Sequence, residues 1–321
     1  MTKDDHRRLI GSGTTKLLVK VLYIAGWGRS GTTILDNILG SYGPVFTTGE
    51  LFYLWRRGLN QGRICGCGTG LRLCRTWRDI LDVAYAGRTL RPKRTAALQR
   101  RVARVRDTCR LSRAELTGEQ LDYRDEMYRL YAAIHTVTGA DLIVDSSKVP
   151  SGAAVLAQMP EVESYLVHMV RDPRAVAYSW MRPKDLPDVA VARTMAEHGA
   201  AESSTNWLTW NLLIESLARG RFAGRAQRIR YEDFVAAPRD MVESLLGLVG
   251  LAAEPGPFEG DASVRLNINH TVSGNPSRFR TGPVTLRADN AWQAHQPWRP
   301  RAVSTAISLP LLHRYGYTPR R

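Results

Sequence analysis

The chain has 321 residues, 44% of them hydrophobic, enough to bury one sizeable core. Lysine and arginine outnumber aspartate and glutamate by 45 to 30, and a net charge of +15 favours anionic partners: nucleic acid, an acidic acceptor or an anionic nucleotide. The first long apolar stretch, Leu17 to Ile24, is broken by Lys20 and is far short of the roughly 20 residues a spanning helix needs. The opening residues Lys3 to Arg8 are charged, with no apolar stretch of a secretory signal, so a cytoplasmic protein without a membrane span is expected.

Residues 1–16 read as a basic tail, and 17–321 as a single domain. Leu17 to Ala25 is an apolar, β-branched run that ends at Gly26, and Ile34, Leu35, Ile38 and Leu39 then recur at helical spacing. The pattern predicts a strand, a glycine-rich turn and a helix. In such a turn, successive backbone N–H groups and the positive end of the helix dipole converge on one point, which suits an anion. Gly26-Trp27-Gly28-Arg29-Ser30-Gly31-Thr32-Thr33 has the spacing of the phosphate-loop pattern GxxxxGK[ST], but Thr32 stands at the lysine position and Arg29 brings a cation three residues earlier.

Cys65, Cys67 and Cys74 cluster in CGCGTGLRLC, while Cys109 stands alone. No histidine lies near the cluster in the sequence and the spacing fits none of the usual zinc patterns, so a loop-shaping use and no metal are expected. Between Leu51 and Gly139 no convincing strand appears. Helical patterns over Trp77 to Tyr85, Thr95 to Leu111 and Gln120 to Val137 predict a helical insertion at about 51–139, the candidate for acceptor recognition. The basic residues from Arg91 to Arg113 alternate with Leu98, Val102, Val105 and Cys109 at helical spacing, the pattern of an amphipathic helix with a solvated basic face.

Further apolar runs at Leu142 to Val144, Tyr165 to Val170 and Gln227 to Tyr231 are each followed by a helix-like segment. Alternating strand and helix predicts an α/β fold of three layers, P-loop-like, with a central, mostly parallel sheet flanked by helices. Pro255 to Pro300 is rich in Pro, Gly, Asn and Ser and reads as a long ordered loop.

Four elements, in order, resemble the sulfotransferase superfamily that uses 3'-phosphoadenosine 5'-phosphosulfate (PAPS). GRSGTT is similar to the loop that grips the 5'-phosphosulfate, which implies cofactor roles for Arg29, Ser30, Gly31, Thr32 and Thr33. Arg171 to Ser179 resembles the strand-end arginine and helical serine that clasp the 3'-phosphate, with Asp172 suited to cap the helix and Pro173 to start it. Arg230 to Phe234 resembles the family's YED element, whose tyrosine, here Tyr231, contacts adenine while the acidic pair braces the sheet edge. His270 to Arg280 resembles the late loop that closes over the cofactor, which gives Arg278 a 3'-phosphate contact and leaves Arg280 as the alternative.

The resemblance also implies catalytic roles. Glu50, just beyond the first helix, stands where the protein-tyrosine and carbohydrate branches carry a catalytic glutamate, the general base. No histidine follows the strand ending in Asp145 to Pro150, where the small-molecule branch has one. Lys148 resembles the lysine that steadies the transferring sulfuryl group. The implied activity is sulfuryl transfer from PAPS to a hydroxyl or amine of an unidentified acceptor, with 3'-phosphoadenosine 5'-phosphate (PAP) as product and no metal required. A small-molecule kinase with a degenerate loop is the alternative, with Asp145 as its candidate magnesium ligand; the missing loop lysine argues against it. A nucleic-acid-binding protein is a second alternative, and no specific nucleic-acid partner is expected. Trp55, Tyr123, Tyr128, Tyr131, Trp180, Trp207 and Trp210 are open to two readings, an acceptor pocket or core.

Overall fold

The computed structural model describes residues 18–186, 193–194 and 197–317, so the basic tail lies outside the described residues. Five parallel strands make the central sheet: β1 (Val19–Ala25), β2 (Val45–Gly49), β3 (Leu142–Lys148), β4 (Val162–Val170) and β5 (Ala226–Arg230), in the order β2-β3-β1-β4-β5. Leu22 on the central strand pairs with Val144 on one side and Tyr165 on the other.

Period-two alternation on β1 sends side chains into two separate cores. Val21, Tyr23 and Ala25 join a cluster with Trp77 and Ile80 of α2 (Arg75–Ala84), Tyr123 and Leu130 of α5 (Glu119–Thr138), Ala153 of α6 (Pro150–Leu156) and Ile214 of α8 (Ala200–Arg219). Leu22 and Ile24 face the other way, onto Leu35 and Ile38 of α1 (Thr32–Leu39), Phe234 of α9 (Tyr231–Ala236) and Leu245 of α10 (Pro238–Leu248). A strand buried on both faces has to be apolar, which is why Val21 to Ala25, beyond the partly exposed Lys20, reads as one continuous run. Each such Leu or Ile contributes about 1.5–3 kcal/mol by leaving water, so the sheet centre is the stiff frame on which the strand ends are held.

The insertion is helical, with two differences from the periodicity. Thr95 to Leu111 is not one helix: α3 (Pro92–Val102) ends, and α4 (Thr108–Arg113) follows after a short 3-10 turn. Ala103 and Arg104 leave helical geometry, and the Ala103 carbonyl accepts from Ser151 Oγ at 2.8 Å, a tertiary partner in place of a helical one. Leu54–Asn60 forms a wide π-type turn that carries Arg56 and Arg57. Pro255 to Pro300 is also more ordered than a loop: β6 (Ser263–Leu266) and β7 (Gly282–Thr285) pair as an antiparallel hairpin, followed by α11 (Ala291–His295) and by α12 (Trp298–Leu312), which packs on α8 and α7 (Pro173–Trp180). No helix among the described residues is long and apolar enough to cross a membrane.

Candidate active site

The C-terminal ends of β1, β2, β3 and β4 lie side by side, the edge at which open parallel sheets place ligands. After β1 the chain must turn sharply into α1, and glycine makes that possible. Gly31 has φ +87°, and a Cβ there would lie 2.5 Å from Tyr231 Cδ2; a Cβ on Gly28 would lie 2.6 Å from Trp180 Cζ2. The loop is thus held between the two rings. Arg29 also adopts a left-handed φ of 71°, a cost of order 1–3 kcal/mol that non-glycine residues bear chiefly at functional sites. Gly31 supplies no side-chain cap, so the first N–H groups of α1 remain open to a ligand.

Cations surround this loop. Arg29 Nε and Nη1, Arg171 Nε and Arg182 Nε are buried without a hydrogen-bond partner. Burial, reinforced by Arg182 and opposed by Glu50, brings the Arg29 pKa down to about 10. Burial together with Arg29, Arg182 and Arg171 brings Lys184 down to about 8. Four cations crowded in low dielectric are costly unless an anion joins them.

Arg171 projects from the end of β4, its guanidinium carbon 4.3 Å from the centre of the Tyr231 ring. Its Nη1 donates to Arg29 O at 3.2 Å, and its Nη2 to Asp289 O at 2.9 Å, with Asp289 Oδ2 at 3.2 Å. Asp172 caps α7, accepting from Arg174 N at 2.9 Å, and Pro173 starts the helix. Ser179 lies buried on the same helix. Glu232 ties the YED segment to the start of α7 and to the C-terminal segment by accepting from Asp172 N at 3.1 Å and from Tyr317 Oη at 2.7 Å. Ser30 is 1% exposed and donates to Trp27 O, shaping the loop, and Thr32 is buried behind it.

At the adjoining strand ends, Glu50 follows β2 and Lys148 closes β3. The pairing of β1 with β3 slips between Tyr23 and Ala25, and Lys148 takes a left-handed φ of 72° there. Lys148 Nζ donates to Glu50 Oε1 at 2.5 Å, and Arg57 Nη1 donates to Glu50 Oε2 at 2.9 Å. Burial alone would raise the Glu50 pKa, but Lys148 and Arg57 outweigh it and hold the carboxyl below its ordinary value. The late loop completes the arrangement: Glu50 N donates to Ser273 O at 3.1 Å, and Arg57 Nη1 also reaches Ser273 Oγ at 3.1 Å.

Arg278 lies in that late loop, 1% exposed, with Nη1 donating to Thr271 O at 2.8 Å and Nη2 to Ile64 O at 2.6 Å. These bonds make it a brace between the loop and the insertion, whereas Arg280 is exposed. Thr33 lies beneath the same loop, its Oγ1 3.9 Å from where a Cβ on Gly274 would stand. His270 also belongs to the late loop. The absence of a histidine near the cysteines holds only along the sequence, because the fold brings His270 Nδ1 to 3.3 Å from Cys74 Sγ and 3.8 Å from Cys65 Sγ.

Two buried carboxyls and two basic residues also border the site. Asp36 of α1 is fully buried, and burial raises its pKa to about 7, against the lowering effects of Ser146 and Lys148. Asp145 is also buried and raised, to about 6; it accepts from Ser147 and from Tyr131 Oη, so both of its oxygens are engaged. Arg182 and Lys184 had one faint sign, a basic pair two and four residues after Trp180.

Trp55, Tyr123, Tyr131 and Trp207 are core, and Tyr128 packs against it. Trp180 stacks with Arg29 at 4.7 Å, and Trp210 lines a cavity of about 260 Å³ with Phe52, Tyr53, Arg56, Gln99, Arg100 and Arg104 among its walls. Val149, next to Lys148, also lines it.

The model of the family described as "Sulfotransferase family" matches residues 22–255. Among solved structures, the chain is similar to a sulfotransferase domain from the curacin biosynthetic pathway, with a TM-score of 0.51 and 18% identity over 92% of this chain and 98% of that one. A sulfotransferase domain from the Synechococcus PCC 7002 olefin synthase is also similar, with a TM-score of 0.47 and 18% identity over 97% and 99% of the two chains. A sulfotransferase from Mycobacterium avium gives 0.47 and 12% over 97% and 79%. At these identities the first likeness is one of fold alone. No curated protein matches significantly.

Proposed function

The chain belongs to the sulfotransferase family, and from that membership we propose that it moves a sulfuryl group from PAPS to a hydroxyl or amine of an acceptor bound between the insertion and the sheet edge. The observation that carries this reading is the set of buried guanidinium nitrogens without partners on Arg29, Arg171 and Arg182, around a loop that already offers backbone N–H groups. A nucleotide with phosphates at both 3' and 5' positions fits that chemistry: the loop amides, Arg29 and Thr33 would hold the 5' end, and Arg171 with Ser179 the 3'-phosphate. Tyr231, against Arg171, would support the adenine. Arg278, engaged with carbonyls, acts by holding the late loop over the site.

The donor supplies an activated sulfuryl group and a good leaving group. Glu50 Oε takes the proton from the acceptor's hydroxyl or amine, a task for which its carboxyl must be ionised at neutral pH, and the lowering by Lys148 and Arg57 keeps it so. Lys148 Nζ places a compact positive charge at the end of β3, where it stabilises negative charge as the bond to the leaving group breaks. The buried site excludes water around both groups, which strengthens these interactions.

The cavity beside Val149 suits the acceptor. Its aromatic walls favour a flat or apolar body, and Arg56, Arg100 and Arg104 favour an acceptor bearing a negative group. The kinase alternative would need Asp145 for magnesium, but both carboxylate oxygens are engaged by Ser147 and Tyr131. Incubation of the purified protein with PAPS and a panel of phenols, sugars, amines and their acidic derivatives, read by mass spectrometry, tests the proposal. Sulfated product that forms best from acidic acceptors is expected; no PAP binding by calorimetry together with no sulfated product would sink it.

A further inference from the structure

We propose that Cys65, Cys67, Cys74 and His270 bind one zinc ion, a structural centre that clamps the late loop onto the insertion. The four ligand atoms lie within 4.8 Å of one another. A tetrahedral zinc with Zn–S of about 2.3 Å and Zn–N of about 2.0–2.1 Å demands S···S edges of about 3.8 Å and S···N edges of about 3.6 Å. Cys67 Sγ to Cys74 Sγ is 3.7 Å, Cys65 Sγ to His270 Nδ1 is 3.8 Å and Cys74 Sγ to His270 Nδ1 is 3.3 Å. Three of the six edges of such a tetrahedron are thus close to the required length before any ion is placed, and the others are at most 4.8 Å.

The surrounding chain is built to hold that geometry. Cys65 to Thr69 is a tight knuckle: Cys65 N donates to Thr69 O at 2.7 Å, Gly68 N to Cys65 O at 2.9 Å, and Gly68 takes φ +87°. The knuckle presents two sulfurs on one side. Cys74 stands at the N-cap of the ten-residue helix α2, which fixes its position relative to the knuckle. His270 is held from both ends, since Trp77 Nε1 donates to its carbonyl at 2.6 Å and Nε2 lies 3.3 Å from Thr76 Oγ1. A hydrogen bond at Nε2 leaves Nδ1 as the ligand atom, the usual second partner of a metal-bound imidazole. A Cβ on Gly66 would fall 1.9 Å from Asn269 Oδ1, so only glycine lets the late loop lie this close, and Gly66 N donates to Thr271 O at 2.9 Å.

Three cysteines and one histidine with all four positions filled by protein make a closed site, the mark of a structural zinc rather than a catalytic one. Binding converts three thiols to thiolates and releases their protons to solvent. The rival fate of the same atoms is a Cys67–Cys74 disulfide, which requires the sulfurs to close from 3.7 Å to about 2.0 Å and leaves Cys65 and His270 without a role. The clamp reaches the candidate active site by a short route, because Ser273, three residues after His270, holds Glu50 N and Arg57.

The test uses the full chain purified under reducing conditions without added metal. Elemental analysis is expected to give one zinc per chain. Replacement by Co2+ should produce the thiolate charge-transfer and d–d bands of a tetrahedral site, and chelation should lower the melting temperature. Cys74→Ser and His270→Ala should each lose the zinc. Where a variant fails to fold, titration of the native chain with a mercurial reagent decides instead: zinc should leave in step with the modification of three thiols. A folded, metal-free chain, a mapped Cys67–Cys74 disulfide or a metal other than zinc in the native protein would each overturn the proposal.

Discussion

Lys148 Nζ lies 2.5 Å from Glu50 Oε1, with Arg57 2.9 Å from the other carboxylate oxygen, so the two candidate catalytic groups are each other's partner at the sheet edge. The pairing couples their chemistry. Lys148→Met removes the larger of the two charges that lower the Glu50 pKa and leaves the raising effect of burial in place. The acidic limb of the kcat/KM profile should therefore move to higher pH in Lys148→Met, while turnover falls by roughly 10- to 1,000-fold and the PAP dissociation constant changes only a few-fold. Lys148→Arg should restore part of the rate, since a planar guanidinium does not replace a compact ammonium at a fixed distance. An unshifted acidic limb would detach Glu50 from the rate-limiting proton transfer.

Glu50→Gln keeps the shape of the side chain but cannot take a proton. Turnover should fall by roughly 100-fold or more with PAP affinity nearly intact. Because Lys148 and Arg57 lose a buried counter-charge, the melting temperature should also drop, and the rate must be measured on folded protein below that transition. Wild-type turnover in this variant would place the base elsewhere; His198, whose ring lies against Trp27 and Trp180, would be next rather than His270, which faces the cysteines.

Arg171 and Gly31 both lie against the Tyr231 ring. Arg171→Ala should weaken PAP by more than tenfold in calorimetry without added metal, the loss expected for a charge-assisted phosphate contact. Gly31→Ala should be as severe by a different route, because the new methyl strikes the Tyr231 ring at 2.5 Å from a backbone of φ +87°. Tight binding of ATP with magnesium in place of PAP would contradict both expectations.

The sheet was legible because β1, β3, β4 and β5 are continuous local patterns, and the phosphate loop because its glycines sit between a strand and a helix. β2 escaped notice, since Val45–Gly49 offers five residues and two of its inward positions are Thr47 and Thr48. The anion site was half legible: Arg29 and Arg171 sit at motif positions, whereas Arg182 and Lys184 matter only through the approach of a third segment. His270 and Arg278 lie in the segment that resembles the cofactor loop, and the partners that hold them, Cys74 and Ile64, are about 200 residues away in the chain. Contacts of that span leave no periodicity in a sequence. The helix break at Ala103 has the same origin, a tertiary hydrogen bond from Ser151.

Asp36 allows a test of the buried carboxyls independent of catalysis. Its folded pKa of about 7 exceeds the ordinary 3.8, so the native state favours its protonated form. The sign follows from linkage: between about pH 4 and pH 7 the native state holds more protons at this site than the unfolded chain, and stability falls as pH rises through that window. At roughly 1.4 kcal/mol per pKa unit the loss is a few kcal/mol by pH 8. Asp36→Asn has no proton to lose there. Urea unfolding at pH 5 and pH 8 should show a smaller decline in stability for Asp36→Asn than for the wild type, and the difference reports Asp36 together with its coupling to Asp145. Equal declines would mean that Asp36 is ionised in the folded protein at neutral pH, with Lys148 and Ser146 outweighing its burial.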